Sequence, residues 1–154
     1  MSSTRKDKPP TPEFKGPKRR RNPSLLTGSP SKESSLTQAS RLTTKVSKVG
    51  FDWPNMKGVL NKLDEELGEF RRALRLKDRK TICDELGDLL FVLVNVARVL
   101  QIHPEKALRK TIQKFISRFR YVERALCKKG KSLKQSNLSE MDHLWEEAKR
   151  RKIK

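Results

Sequence analysis

Two pairs of carboxylates occur at helical spacing in the middle of the chain. Glu66 and Glu69 are three residues apart, and so are Glu85 and Asp88. Residues three apart on a helix are neighbours on one face, so each pair can direct two carboxylates toward the same point. Carboxylates and water are the ligands that Mg²⁺ and Mn²⁺ prefer, and Mg²⁺ usually leaves room for substrate phosphates. The spacing therefore predicts a site for Mg²⁺, with Mn²⁺ as the second choice.

The second pair opens the most apolar segment of the sequence, residues 86–100. A helix of this composition is expected to be buried on most of its sides, and acids at its start are costly unless they are paired or bound to a cation. Asn95 lies seven residues, or two turns, beyond Asp88 and is the only polar residue between Asp88 and Arg98. A buried amide needs a hydrogen-bonding partner, so Asn95 is a further candidate for the site.

The competing interpretation is that these acids are solvated and pair with neighbouring cations. Lys62, Arg71 and Arg72 all lie close to the first pair in the sequence. A single pair of acids at this spacing is usually solvated and paired with cations. The second pair, at the start of an apolar helix, favours the metal site.

Apolar residues recur every three to four positions through five stretches, a periodicity that predicts helices. No stretch alternates in the manner of a strand, so the sequence predicts an all-α bundle of four to five helices. The expected helices cover 34–48, 56–76, 80–100 and 104–128, followed by a last helix that Ser139 caps, with Asp142 in the capping-box position. So much apolar surface in a short chain is often covered by a two-fold partner, which predicts a homodimer.

The second helix has an expected core face made of regularly spaced apolar residues. These are Leu60, Leu63, Leu67, Phe70 and Leu74. On this wheel Glu66 lies at the flank of the core face and Glu69 lies further round, so a neighbouring helix is needed to bring Glu69 into a site. Phe51 and Trp53 precede this helix, at the bend that Pro54 imposes, and are expected to fill the core.

Basic and aromatic side chains on the last two helices are candidates for binding a nucleotide. Lys114 and Arg118 are four residues apart beside the apolar stripe of the fourth helix, and a Lys and an Arg one turn apart can hold a polyphosphate. Their alternative role is to cover the edge of the core with their aliphatic stems. Trp145 can stack on a base or anchor the terminal helix, and the sequence favours neither.

Five strings, in order along the chain, resemble MazG-type nucleoside triphosphate pyrophosphohydrolases, in particular their C-terminal catalytic domain. The acid pattern E-x-x-E, about fifteen residues, then E-x-x-D is similar to the signature of that family. The strings are NPSLLTGSP at 22–30, VGFDWP at 49–54, ELGDLLFVLVNVAR at 85–98, KFISRFRYVE at 114–123 and LWEEAKRR at 144–151. The resemblance implies one all-α catalytic domain over residues 22–154.

The resemblance also implies an activity. A nucleoside or deoxynucleoside triphosphate would be hydrolysed between the α and β phosphates with the help of Mg²⁺, giving the monophosphate and pyrophosphate. Glu66, Glu69, Glu85 and Asp88 would hold the metal, and either Glu66 or Glu69 would act as the catalytic base. A narrower enzyme for deoxynucleotides or modified nucleotides is the alternative within this class.

The same resemblance implies a homodimer and a set of substrate-binding residues. These residues are Asn95, Lys114, Arg118 and Trp145. One position departs from the family, whose members often carry a Lys one turn before the second Glu of the motif. Here that position is Thr81, with Lys80 beside it, so this phosphate contact is in doubt.

The formal net charge is +19 over 154 residues, which favours anionic ligands such as nucleotides, nucleic acid or acidic lipid. Residues 1–21 hold four of the eight prolines and eight basic residues against two acids, a composition that predicts a disordered tail. The basic run at 18–21 makes a non-catalytic, nucleic-acid-binding module the rival function. That rival gives no role to the four acids, so nucleic acid contact through the tail is the less favoured interpretation.

The cysteines and the apolar runs bear on the compartment. Cys83 and Cys127 lie alone in helical stretches without disulfide or metal spacing, which suits a reducing cytoplasm. No apolar run approaches the roughly 20 residues that span a bilayer, and the N-terminus has no apolar signal segment. The sequence therefore predicts a cytoplasmic protein without a membrane partner.

Overall fold

The computed structural model describes residues 24–26, 32–151 and 153. The expected tail at 1–21 lies outside these residues. Five α-helices and one 3₁₀ turn, Leu133–Gln135, make up the regular structure of the described ranges. The helices are α1 Ser35–Ser47, α2 Met56–Leu76, α3 Arg79–Val99, α4 Pro104–Lys128 and α5 Leu138–Arg150. No strand occurs within the described residues, and the all-α fold expected from the sequence is confirmed.

The first three helices begin at a side-chain cap, and the fourth begins at a proline. The side chains of Ser34, Asn55 and Asp78 accept backbone N–H groups from the first turns of α1, α2 and α3. Pro104 occupies the first position of α4, where its missing N–H is not needed. Local chemistry of this kind explains why the first four ranges differ from the sequence expectation by no more than one residue at either end.

The start of α5 corrects the sequence expectation. The N-cap is Asn137, whose Oδ1 accepts the backbone N–H of Glu140 at 2.9 Å, whereas Ser139 lies inside the first turn. Asn and Ser are about equally good N-caps. Composition therefore could not rank the polar residues that surround the start of this helix.

We expect Asn137→Ala to lower the free energy of unfolding by about 1 kcal/mol, because the first turn of α5 loses its cap. Chemical denaturation monitored by circular dichroism measures the change. Ser139→Ala is the matched control, and its effect should stay within about 0.5 kcal/mol, as for most surface substitutions. The reverse order of the two effects would place the cap at Ser139.

The helices pack as a hairpin followed by a second pair. α2 and α3 pack along each other and are joined by Lys77, which has a φ of 58°, and Asp78. α1 packs on α3 and also contacts α4, while α5 packs on α4. The axes of α3 and α4 bend by 106° at the break between them, so α4 turns sharply from the direction of α3.

No single helix among the described residues is long and apolar enough to cross a membrane. α3 and α4 reach the necessary length and hydropathy only as a pair that bends at the break.

The burial of α3 differs from the expectation that most of its sides are covered. Val92, Val94 and Asn95 are buried, but other apolar side chains of the helix are 44–49% exposed. These exposed side chains are Leu86, Leu90, Phe91 and Leu93. Within one chain α3 has α1 and α2 as its main neighbours, so one side of the helix is left open.

The buried face of α2 is also different from the expected one. Val59, Glu66 and Ala73, seven residues apart, are the buried residues of α2, whereas Leu60 and Leu74 are 45% and 46% exposed. The reason is that α2 packs chiefly against one helix, α3, and a single neighbour covers only a narrow stripe. Glu66 consequently lies in the middle of the covered face and not at its flank.

Phe51 is 79% exposed, so the expectation that it fills the core is wrong. Trp53 is half-buried and packs closely against Gly58, where an added Cβ would lie 3.2 Å from the Trp53 ring. The bend is short and α2 follows it at once, so only Trp53 of the two aromatic side chains packs against the rest of the chain.

Candidate metal and nucleotide site

The α2–α3 hairpin positions the two acid pairs. Glu69 lies eight residues before Lys77, and Glu85 lies seven residues after Asp78. Because the turn between the helices is so short, positions at similar distances from it face each other across the hairpin. The hairpin therefore places Glu69 opposite Glu85 and Glu66 opposite Asp88. The positions of Glu66 and Glu69 around α2 alone do not indicate this arrangement.

Carboxylate oxygens from both helices converge. One oxygen each from Glu66, Glu85 and Asp88 lie within 4.8 Å of one another, and the same holds for Glu65, Glu66 and Glu69. Glu66 belongs to both groups and its side chain is only 7% exposed. We call the five residues the acid cluster, with Glu66 at its centre.

Glu85 carries the clearest sign that the acid cluster is built for a cation. Its Oε2 is buried and has no hydrogen-bonding partner. Burial raises the pKa of Glu85, and the negative charges of Glu69, Glu66 and Asp88 raise it further. Crowded carboxylates with an unsatisfied buried oxygen are relieved by a divalent cation, so the residues present fit the metal that their spacing predicts.

Two cations of α2 already pair with part of the acid cluster. Lys62 Nζ lies 2.7 Å from Glu66 Oε1 and 2.9 Å from Glu65 Oε1, and these hydrogen bonds raise the pKa of Lys62. Arg72 Nη2 lies 3.2 Å from Glu69 Oε1. The competing interpretation of solvated pairs thus holds for some α2 acids. Across the described ranges, however, neither Glu85 nor Asp88 of α3 forms an ion pair.

Asn95 is buried and belongs to a network that sequence reasoning missed. Its Nδ2 donates to the Phe91 carbonyl at 3.3 Å, and its Oδ1 accepts from Arg98 at 3.3 and 3.4 Å. Arg98 also donates two hydrogen bonds, of 2.8 and 2.5 Å, to Asp52, and this hydrogen-bonded guanidinium lowers the pKa of Asp52. The network fastens the bend before α2 to the far end of α3.

Beside Asn95 lies an apolar cavity of about 210 Å³. Its walls come from α1, the bend and α3: Leu26, Leu42, Thr43, Val46, Phe51, Trp53, Phe91 and Asn95. Asn95 follows Asp88 by about 10 Å along α3, at 1.5 Å of rise per residue. A ligand that reaches both the cavity and the acid cluster therefore has to be about as long as a nucleotide.

Lys114 and Arg118 lie on α4, away from the acid cluster. From the break between α3 and α4, Lys114 is about 15 Å along one axis and Glu85 about 21 Å along the other. With the 106° bend between the axes, the two backbones are roughly 20 Å apart. Arg118 Nε donates to the Ile153 carbonyl at 3.2 Å, and Lys114 has no ion pair with the described residues.

Trp145 both anchors α5 and lines an opening. It packs beside the buried cluster of Val122, Leu126 and Leu144. Its ring also lies 5.2 Å from that of Phe115, tilted by 53°, and both rings line a cavity of about 300 Å³ between α4 and α5. The two roles that the sequence left open for Trp145 are therefore compatible.

Comparison with known proteins identifies the domain that holds these residues. The family model of the MazG nucleotide pyrophosphohydrolase domain matches residues 55–123, which include the whole acid cluster. The chain carries a MazG domain. Lys114 and Arg118 also lie inside the matched range, whereas Trp145 and α5 lie beyond it.

Several known proteins are similar in sequence to this chain. The chain is 42% identical over 114 residues to the nucleoside triphosphate pyrophosphohydrolase/pyrophosphatase MazG of Thermotoga maritima, an overlap of 74% of this chain and 44% of that protein. It is 37% identical over 120 residues to the nucleoside triphosphate pyrophosphohydrolase of Escherichia coli K12, an overlap of 77% and 46%. The uncharacterized protein YabN of Bacillus subtilis is 51% identical over 65 residues, 42% of this chain and 13% of YabN. The chain thus spans less than half the length of these relatives.

Thr81, the departure from the MazG pattern, has a structural role here. Its hydroxyl donates to Asp78 Oδ2 at 2.5 Å, and Asp78 is the N-cap of α3. The hydroxyl therefore helps to start the helix that carries Glu85 and Asp88. A phosphate contact from this turn would have to come from a neighbouring side chain.

Proposed function

We propose that the chain is a nucleoside triphosphate pyrophosphohydrolase, which hydrolyses nucleoside or deoxynucleoside triphosphates between the α and β phosphates. The convergence of carboxylates from α2 and α3 around the unsatisfied Glu85 oxygen carries this proposal. The names of the Thermotoga maritima and Escherichia coli relatives support the choice of reaction. One water is consumed, the bond between the α phosphorus and the bridging oxygen breaks, and the products are the monophosphate and pyrophosphate.

Glu66, Glu85 and Asp88 would hold a divalent cation, with Glu69 beside them, and we assign Mg²⁺ because all the ligands are carboxylate oxygens. When bound, such a cation neutralises phosphate charge and lowers the pKa of a water. The carboxylates hold their positions because both helices are fixed to each other along the hairpin.

We assign the role of proton acceptor to Glu69. Its side chain is 36% exposed, compared with 7% for Glu66, so water can reach it. It lies at the edge of the acid cluster, next to Glu66, and can take the proton from an attacking water without leaving the cluster. Both acids pair with a cation, Glu69 with Arg72 and Glu66 with Lys62, but only Glu66 is enclosed at the centre of the cluster.

We infer that the phosphate-binding residues of α4 act at the acid cluster of a second copy of the chain. Lys114 lies roughly 20 Å from Glu85 in the same chain, and Arg118 of that chain already donates to the Ile153 carbonyl. The open side of α3 is apolar, and the first half of α4 carries an apolar stripe whose Leu108, Ile112 and Phe115 are 48–58% exposed. We propose that two copies cover these surfaces against each other as a homodimer, so that α4 of one copy brings its cations to the acid cluster of the other.

The proposed reaction is tested with a panel of ribonucleoside and deoxyribonucleoside triphosphates. We expect Mg²⁺-dependent release of pyrophosphate and nucleoside monophosphate, with Mn²⁺ as a substitute, measured by ion-exchange separation of the products. A preference for a few deoxynucleotides or modified nucleotides would select the narrower enzyme within the same class.

Two results would contradict the proposal. Orthophosphate as the first product places the cleavage at the wrong anhydride, and full turnover in EDTA removes the role of the acid cluster. Salt-dependent binding to duplex or single-stranded nucleic acid without turnover would instead favour the basic nucleic-acid-binding module.

A further inference from the structure

Lys62 places a positive charge inside the acid cluster. Its ammonium lies one turn before Glu66 on α2 and bridges Glu66 and Glu65 at 2.7 and 2.9 Å. Glu66 is the residue that both carboxylate groups share, and it is nearly inaccessible to water. A buried carboxylate needs a compensating charge, and Lys62 is the only described cation that pairs with it.

A divalent cation at Glu66 meets this ammonium at short range. Mg²⁺ binds carboxylate oxygens at about 2.1 Å, while Lys62 Nζ is 2.7 Å from Glu66 Oε1. Two cations on one side chain repel each other, and the Lys62 side chain, 34% exposed, has a flexible stem and a path to solvent. Arg72 poses no such conflict, because it pairs with Glu69 at the exposed edge of the cluster.

We propose that Lys62 is a resident counter-ion of the acid cluster, which stabilises Glu66 while no metal is bound and gives way to the divalent cation when it binds. This inference rests on the proposed metal site. Lys62 is here a positioning residue: it keeps the hairpin folded with five carboxylates close together and competes with the metal for the central one.

The test measures metal affinity and stability separately, without substrate. Wild type, Lys62→Met and Lys57→Met are titrated with Mn²⁺ and Mg²⁺ by calorimetry and melted in EDTA. Lys57 is the matched control, since it lies on the same helix, is exposed and forms no ion pair with the described residues. Lys62→Arg keeps the charge with a different head group.

Without its competitor, the metal should bind Lys62→Met about fivefold more tightly than wild type, which is about 1 kcal/mol. The same variant should melt several degrees lower than wild type in EDTA and recover in excess Mg²⁺. Lys57→Met should match wild type in both measurements, and Lys62→Arg should restore the melting temperature in EDTA.

Three other outcomes would contradict the proposal. Weaker metal binding by Lys62→Met shows that Lys62 supports the metal, and an equal loss of melting temperature with and without metal shows a merely structural salt bridge. Either result rules out the counter-ion role of Lys62 but leaves the proposed metal site standing. If wild type itself binds neither Mn²⁺ nor Mg²⁺, the proposed metal site fails and the counter-ion inference with it.

Discussion

Asp88→Asn should lose turnover by about a hundredfold or more, since even residues that only orient metal ligands cost 10- to 100-fold when replaced. It should also lose the Mg²⁺-dependent rise in melting temperature. Metal at a hundredfold excess over its dissociation constant stabilises a fold by about 2.7 kcal/mol, which corresponds to roughly 10 °C for a domain of this size. In EDTA the variant should melt no lower than wild type, because removing one of the clustered charges relieves repulsion at nearly constant shape.

Thermal melts with EDTA and with Mg²⁺, together with a turnover assay, show whether Asp88 is a metal ligand or part of a structural ion pair. Asp84→Asn is the control, since Asp84 is an exposed acid one turn earlier on α3 and outside the acid cluster. It should behave as wild type in all three measurements. If Asp88 serves a structural ion pair instead, Asp88→Asn will melt lower both with and without metal.

Helix ends were predictable because they depend on neighbouring residues. Ser34, Pro104 and Gly130 mark their helix boundaries through local chemistry, and the expected ranges of the first four helices needed no tertiary information. α5 is the exception that shows the limit. Several polar residues precede it, and only the backbone geometry selects Asn137 as the cap.

Burial was less predictable because it depends on how many neighbours each helix has. The leucine stripe of α2 was expected to form the core, but α3 covers a different line, with Glu66 at its centre. The later part of α3 is almost wholly apolar, yet its neighbours within the chain leave Leu86, Leu90 and Leu93 exposed. Periodicity indicates which residues are apolar on a helix, but not which of them a single chain covers.

In the candidate site, too, the local features were predictable from the sequence and the long-range contacts were not. Spacing alone placed Glu66, Glu85 and Asp88 on two helices, and the hairpin turn then brings them together. Asp52 and Arg98 are separated by 46 residues, so no local pattern could pair them. The one available signal was weak: Arg98 is the first charged residue after a long apolar run.

The proposed homodimer leads to a second prediction with a large effect. An acid-cluster variant, Asp88→Asn, and a cation variant, Lys114→Ala/Arg118→Ala, should each be nearly inactive as pure dimers. In a mixed dimer, one site combines both defects, while the other combines intact acids from one copy with intact cations from its partner. Mixed dimers purified with two different tags should therefore recover about half of the wild-type turnover, one active site of two.

The mixed dimer separates sites shared between two copies from sites within one chain. If α4 served the acid cluster of its own chain, each copy would carry one defect and no site would be intact, so the mixed dimer would stay inactive. A mixed dimer of Asp88→Asn with Glu66→Gln is the control, because both of its acid clusters are damaged and neither arrangement can restore it. The contrast matters because Lys114 and Glu85 are roughly 20 Å apart within one chain, and the proposed dimer would bring Lys114 of one copy to Glu85 of the other.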